Sequence, residues 1–442
     1  MKILPLGATQ TVTGSKTLLQ LHDHSYLIDC GLFQGGERLQ KKNVSVNTKA
    51  LRHIHAIFIT HAHLDHAGYL PYLFHHGIIK PIYCTPLTAE LIKIMLDDSL
   101  SILESQTEKE KIEGLYFEQK DIDLVNANIK TVSYNEKISF SDCQVSFHPN
   151  GHILGAASVR IQSNENVVLF SGDVGRQDDP LHMTPDIPLD AQTVQLEATY
   201  GDRIHSQASS LALLREEVEE IIQKKGVLLI PAFAIGRTQM ILRLIWELFE
   251  SDPHLQLPVF LDSPMGVKVT DLYAKNCSEL KLTSKEFDDV LSCVKLVRFG
   301  KDVKKLKKMM PPFILVSSSG MLGGGKIMNY LPEVLVRDYN TVLLTGFQAE
   351  ETLGRQLLEG AKTIKVGKQK VDVRARIKLL EGLSAHADRH ELIGLVKRMD
   401  QLKTIILNHG ESEVLEHFKN VLEDSINVNV IIAKANELID LS

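Results

Sequence analysis

Short apolar runs bounded by turn residues dominate the first part of the chain. Tyr26-Leu27-Ile28, Ala56-Ile57-Phe58-Ile59, Val167-Val168-Leu169-Phe170 and Val194-Gln195-Leu196 each read as a buried strand. Up to about Tyr200 strands alternate with few helices, the texture of a β-sandwich half with a helix laid on it. From about His205 the period changes. Leu211, Leu214, Val218, Ile221 and Ile222 form a helical stripe that Gly226 is expected to end. Strand, glycine turn and helix then recur. Val227-Leu228-Leu229-Ile230 leads through Gly236-Arg237 into Met240-Ile241-Leu242, and Val259-Phe260-Leu261 leads through residues 262–266 into another helical pattern. Phe313-Ile314-Leu315-Val316 leads through residues 317–325 into Ile327-Met328-Asn329. This α/β texture predicts a mainly parallel sheet, with ligands at the carboxyl ends of its strands. After about Lys362 strands return, Thr404-Ile405-Ile406-Leu407 among them. The pattern predicts one domain, residues 1–204 and 363–442, interrupted by another, residues 205–362.

Composition narrows this little. A chain of 442 residues exceeds what one core usually holds, which agrees with two domains. No apolar run approaches the roughly 20 residues of a membrane span, and the first residues, Met1-Lys2-Ile3-Leu4-Pro5-Leu6-Gly7, read as strand and turn rather than a secretory leader. Cys30, Cys84, Cys143, Cys277 and Cys293 are odd in number and scattered, so they read as free thiols in a reducing compartment. The expected location is cytoplasmic, with no membrane partner. The net charge of −6 does not announce a binder of polyanions, so any basic footprint is local. The one candidate is the lysine-rich run 301–308. There Val303, Leu306 and Met310 fall at helical spacing and turn the lysines outward, as a solvated face or a short grip on a charged backbone.

The chemistry is concentrated in Thr60-His61-Ala62-His63-Leu64-Asp65-His66, which follows the strand at Ala56. Four metal-capable side chains lie within six residues. In extended backbone His61 and His63 point the same way, and a turn can bring Asp65 and His66 to the same spot. Imidazole and carboxylate suit zinc, although Asp65 can also cap the following helix. Further candidates sit at other strand ends: Asp29, His152 in Asn150-Gly151-His152, Asp173 in Ser171-Gly172-Asp173, Glu197, and His409 in Asn408-His409-Gly410-Glu411. His386 lies in Ser384-Ala385-His386-Ala387-Asp388, which also reads as a helix start. Each is weak alone, and their common placement carries the signal.

With these residues together, the chain resembles the metallo-β-lactamase fold. Glu197, His386 and His409 match the extra motifs of its β-CASP branch, the nucleic-acid-processing nucleases. The likeness extends through Glu197-Ala198-Thr199-Tyr200-Gly201, Gly236-Arg237-Thr238-Gln239, Leu261-Asp262-Ser263-Pro264-Met265-Gly266, Ser318-Ser319-Gly320-Met321-Leu322 and Thr345-Gly346-Phe347-Gln348-Ala349-Glu350. It is nearest to the nuclease subunit of the cleavage-and-polyadenylation factor and its prokaryotic relatives. The fold it implies is α/β: an αββα sandwich with an inserted β-CASP domain.

The resemblance implies two zinc ions per chain. His61, His63 and His152 would hold one, Asp65, His66 and His409 the other, and Asp173 both. Asp65 is thereby also one of the catalytic residues. Water activated between the metals would attack phosphorus, His386 would protonate the departing oxygen, and Glu197 would orient His386. Asp29 would stand behind the ligands and hold their loop. The implied substrate is single-stranded RNA, cut internally, with 5′→3′ exonuclease action as the additional mode the family offers. DNA-processing members typically carry Val where this chain has His409. A small-molecule hydrolase of lactonase or thioesterase type and a DNA nuclease are the alternatives, and an inactive scaffold is disfavoured because every ligand position is filled. The inserted domain is expected to cover the cleft and admit one strand. Arg237, Ser263, Ser318, Ser319 and Gly320 are the candidate contacts to RNA phosphates, since they lie in the glycine turns. Gly320 to Lys326 mimics the start of a P-loop, but Ile327 stands where a hydroxyl must meet magnesium, so no nucleotide cofactor is expected. Oligomeric state is open, a homodimer included.

Overall fold

In the computed structural model of the chain, residues 1–441 are described except 23, 46–47, 106–114, 165, 206–208, 347, 350 and 381. Phe347 and Glu350 of the motif at 345–350 therefore lie outside the described residues. The chain forms two compact units, Met1–Ile204 with Ala385–Ser442, and His205–Ser384.

The first unit is built on two seven-stranded sheets. One runs antiparallel through Lys2–Pro5, Thr17–Leu21 and His24–Ile28, then parallel through Ala56–Phe58, Ile82–Cys84 and Ile129–Thr131. The other is antiparallel up to Asn166–Phe170 and parallel through Thr193–Glu197, Thr404–Asn408 and Asn429–Ile432. Strand periodicity explains the layering. Val168 and Phe170 join Leu19, Tyr26, Phe58 and Phe147 in a core between the sheets. Val167 and Leu169, one residue out of phase, pack instead with Leu392, Leu395, Phe418 and Leu422 of helices Arg389–Lys397 and Ser412–Ser425. A central strand covered on both faces must be apolar throughout, which is why Ile405-Ile406-Leu407 is an unbroken run. On the other side, helix Pro86–Ser105 packs on Ile129–Thr131. This is the αββα arrangement.

The second unit holds a six-stranded sheet in which every pairing is parallel. Pro231, Asp262 and Ser317 lie in register at the carboxyl ends of three neighbouring strands. Helices Arg237–Ser251 and Pro264–Lys275 follow the first two glycine turns. The third turn opens instead into a 3₁₀ segment, Lys326–Asn329, before the short helix Leu331–Leu335.

Several local expectations change. Helix Ser210–Lys224 is ended by Lys225, which takes the left-handed conformation at φ 55°. Gly226 has a different reason to be glycine, because a Cβ there would lie 1.8 Å from the Tyr339 carbonyl oxygen. The lysine-rich helix stops at Leu306, so Met310 is 79% exposed, and Met309 packs on the core in its place. The strands after Lys362 also sit differently from the expected boundary. Arg376–Leu379 adds to the parallel sheet beside Thr341–Leu344, and Ile364 and Val371 of the preceding hairpin enter the same core. The second unit thus runs to Ser384 rather than 362. Parallel partners are distant in sequence, and a linear pattern does not say which sheet a strand joins. Among the described residues no helix is long and apolar enough to cross a membrane.

Candidate metal centre

The strand ends of the first unit converge as their sheets pair. Glu197 lies in register with Asn408, so His409 follows directly beside it. His61 and His63 leave the strand Ala56–Phe58, and helix Leu64–Ala67 carries Asp65 and His66. His63 occupies the cap position of that helix, so Asp65 is not its cap and is free to face the site. Backing the helix, Ser15 N–H donates to the Asp65 carbonyl (2.7 Å) and Cys30 N–H to that of His66 (2.7 Å). Gly31 permits this approach, since a Cβ there would stand 1.6 Å from the Asp65 carbonyl oxygen.

Three groups of potential ligands result: His61, His63, His152 and Asp173; Asp65, His66 and His409; and Asp173, Glu197 and His386. In the first, His63 Nδ1 lies 3.1 Å from both His61 Nε2 and His152 Nε2. Asp173 Oδ2 lies 3.5 Å from His61 Nε2 and 3.6 Å from His152 Nε2. In the second, His409 Nε2 is 3.2 Å from His66 Nε2 and 3.5 Å from Asp65 Oδ2. Ligands about 2.0–2.1 Å from a tetrahedral ion stand about 3.3–3.4 Å apart, so these spacings fit a metal cage. Asp173 Oδ1 is turned to the second group, 3.3 Å from His66 Nε2. It is buried and makes no well-formed hydrogen bond. Such an oxygen is costly unless a cation faces it.

The surrounding groups set the tautomers. Asp29, in left-handed backbone at φ 59°, accepts from Thr60 N–H (2.8 Å) and faces His66 Nδ1 at 2.7 Å. A proton on that Nδ1 leaves the Nε2 lone pair for the site. His152 Nδ1 faces the Ala385 carbonyl (3.2 Å), and His409 Nδ1 faces Thr199 Oγ1 (3.2 Å), to the same effect. Burial drives the His61 and His152 pKa values well below the ordinary imidazole range, and neighbouring imidazoles add to this. Burial also lowers that of His63. Burial opposes the charged form of His66 too, but Asp173 and Asp29 overcome it and hold its pKa well above the usual value. Asp173 is itself buried, yet His409, His66 and His61 keep its carboxyl well below the carboxylate range. Neutral His61, His63 and His152 beside an ionised Asp173 are the protonation states that metal binding requires, whereas His66, held protonated by the two carboxylates, would give up a proton to a metal.

His386 lies just before helix Arg389–Lys397, which Asp388 caps, so its side chain is not used as a cap. Its Nδ1 is 3.0 Å from Glu197 Oε2. Glu197 is fixed in turn by Val174 N–H (2.7 Å) and Thr199 N–H (3.3 Å). Burial works against a charged His386, but the Glu197 carboxylate prevails and its pKa is pushed up to about 9. The ring stands 4.6 Å from that of His152 and 6.3 Å from that of His409, one from each metal group.

All the residues expected to carry the chemistry thus meet in the first unit. The five expected phosphate contacts lie in the second. Ser263 Oγ donates to Ser318 Oγ (3.0 Å), Ser319 Oγ accepts from Gly323 N–H (3.0 Å), and the Arg237 guanidinium donates to the Thr345 carbonyl. Two residues went unassigned in the sequence, Thr60 and Thr199. Both lie inside the recognised motifs, but a hydroxyl behind a ligand has no spacing of its own.

Residues 12–232 match the family model of the Metallo-beta-lactamase superfamily. The chain belongs to that superfamily. Residues 238–357 match the Beta-Casp domain, and residues 370–433 match the Zn-dependent metallo-hydrolase RNA specificity domain. The branch suggested by the motifs is therefore the right one, and the chain is a metal-dependent hydrolase of the β-CASP family. It is similar to Ribonuclease TTHA0252 of Thermus thermophilus, at 30% identity over 94% of each chain. It is similar to Probable RNase MJ4 of Methanocaldococcus jannaschii, at 32% identity over 93% of each. Integrator complex subunit 11 of Danio rerio is 26% identical over 97% of this chain and 72% of its own. A crystal structure of a protein of unknown function from Enterococcus faecalis V583 shares the fold, with a TM-score of 0.54, 13% identity and 99% coverage of each chain.

Proposed function

We propose that this β-CASP family member is a zinc-dependent ribonuclease that hydrolyses phosphodiester bonds of single-stranded RNA. The observation that carries the reading is Asp173, one oxygen turned to His61 and His152 and the other to His66. Of two zinc ions, His61, His63 and His152 would hold one and Asp65, His66 and His409 the other, with Asp173 placed to serve both groups. When bound, such a pair supplies an activated water and neutralises charge gathering on the phosphoryl oxygens. The protein's own groups do the rest. Asp29, Thr199 and the Ala385 carbonyl orient His66, His409 and His152 so that each offers Nε2. Glu197 holds the proton-bearing Nδ1 of His386 and leaves its Nε2–H to protonate the departing ribose oxygen. Relatives named as ribonucleases, matched over nearly their full length, support RNA as the substrate.

The test is purified protein of measured metal content with end-labelled RNA and DNA of identical sequence. RNA should be cut and DNA spared, and a chelator should stop cleavage until zinc is restored. Intact RNA beside hydrolysed lactones or thioesters would reverse the reading. A narrower expectation concerns Asp29→Asn. It removes the charge behind His66, so zinc at the Asp65, His66 and His409 site should bind about 10–100-fold more weakly. Chelator competition should show a loosened and an unchanged site, and two sites weakened alike would remove Asp29 from this role.

A further inference from the structure

The second unit presents an aromatic ring that neither its core nor the metal chemistry uses. Phe233 follows the strand Val227–Pro231 and is 39% exposed, although its loop is tightly made. Thr238 donates to the Phe233 carbonyl from both its N–H (3.0 Å) and its hydroxyl (2.7 Å). Ala232 N–H donates to the Ser317 carbonyl (3.0 Å), which ties the loop to the neighbouring strand. The backbone that carries the ring is therefore tied down on both sides. Gly320 lies against the ring, and a Cβ at that position would meet Phe233 Cδ2 at 2.9 Å. Past Gly320 the turn is open at two positions: Cβ atoms added at Gly323 or Gly324 would meet nothing within 4 Å, and Lys326 is exposed. The ring, an open glycine turn and two basic residues, Arg237 at the start of the helix that follows and Lys326 at the start of the 3₁₀ segment, thus share the carboxyl edge of the sheet.

A partly exposed ring on a hydrogen-bonded loop, next to an open glycine turn and two basic residues, suits a flat ligand that carries negative charge. Nucleobases offer a flat face to stack whatever their sequence, and single-strand binders pair such rings with positive charge that tracks the backbone. We propose that Phe233 is the stacking platform for one unpaired base of the RNA strand, with the open turn beside it facing an adjoining phosphate. This rests on the ribonuclease reading and adds a residue that reads the strand by its bases.

The experiment compares the zinc-loaded wild type, Phe233→Ala and Phe233→Trp on one end-labelled RNA and on a set of the same RNA with a single abasic ribose at each position around the cut. Stacking contributes about 1–3 kcal/mol per base, so Phe233→Ala should lower kcat/KM on intact RNA roughly 5- to 150-fold. Phe233→Trp should restore it. At one abasic position the wild type should suffer a similar loss and Phe233→Ala little more, because the partner of the ring is already missing. Hydrolysis of bis(p-nitrophenyl) phosphate, which needs no strand, should be equal in all three proteins and shows that the variants fold and hold metal. Phe299, 63% exposed in the same unit, provides the control, and Phe299→Ala should not reproduce the pattern. Unchanged cleavage by Phe233→Ala, or an equal loss at every abasic position, overturns the proposal while leaving the ribonuclease reading intact. A wild type that cuts none of the RNAs overturns that reading instead.

Discussion

Asp173→Ala is expected to empty both metal sites and to lower RNA cleavage by at least about 10³-fold, because the metals supply several kcal/mol of transition-state stabilisation. Among the described residues, no other carboxylate faces both groups this way. Its Oδ2 stands 3.5 and 3.6 Å from His61 and His152, and its Oδ1 stands 3.3 Å from His66. Removing it leaves three imidazoles with no carboxylate on one side and weakens the set of Asp65, His66 and His409 on the other. Elemental analysis after gel filtration should find about two zinc ions per wild-type chain and well under one in the variant. His63→Ala should by comparison empty chiefly one site. A variant that keeps wild-type zinc and activity would mean that the groups around Asp173 do not act as one centre.

His386→Ala should fold, retain its zinc and lose about 10²–10⁴-fold in rate, the usual contribution of a positioned acid. The decisive comparison is the leaving group. A ribonucleoside p-nitrophenyl phosphodiester expels an anion that needs no proton, so on it the variant should nearly match the wild type. Equal losses on both substrates would make His386 a structural or metal-binding residue. The pH profile gives an independent reading. His386 must be protonated to act, and Glu197 pushes its pKa up to about 9, so activity should fall as pH rises through that region. Glu197→Gln removes the charge responsible, and the alkaline limb should then begin at lower pH with a milder loss at neutrality. An unmoved limb would separate the observed titration from His386.

The layering of the first unit was readable in the chain because burial writes itself into strand periodicity. The run at 167–170, apolar at every position, reads as a buried strand, and the structure shows it covered on both faces, by a sheet and by a helix pair. The site was readable for a different reason. Histidine and aspartate at the ends of apolar strands are uncommon enough that their repetition signals a shared purpose, and the fold brings these side chains together. Where helices stop was less readable. Lys225 ends its helix in the left-handed conformation although Gly226 is next, because the close approach of the Tyr339 carbonyl claims the glycine. Likewise the lysine-rich helix ends a turn early, and Met309, partly buried, packs on the core where Met310 was expected.

The sequence by itself determined the kind of chemistry, the ligand residues worth proposing and the presence of an inserted α/β unit, since each depends on residue type and local period. Only the tertiary structure decided what depends on partners far along the chain. The strand Arg376–Leu379 joins the sheet of the second unit because its backbone pairs with Thr341–Leu344, a choice its own residues do not encode. Asp29, Thr60 and Thr199 act through hydrogen bonds to side chains that the fold brings beside them. Glu197 and His386 come within 3.0 Å although 189 positions separate them. Proximity of that kind is set by how two sheets and their helices pack together, and no pattern along a single segment contains it.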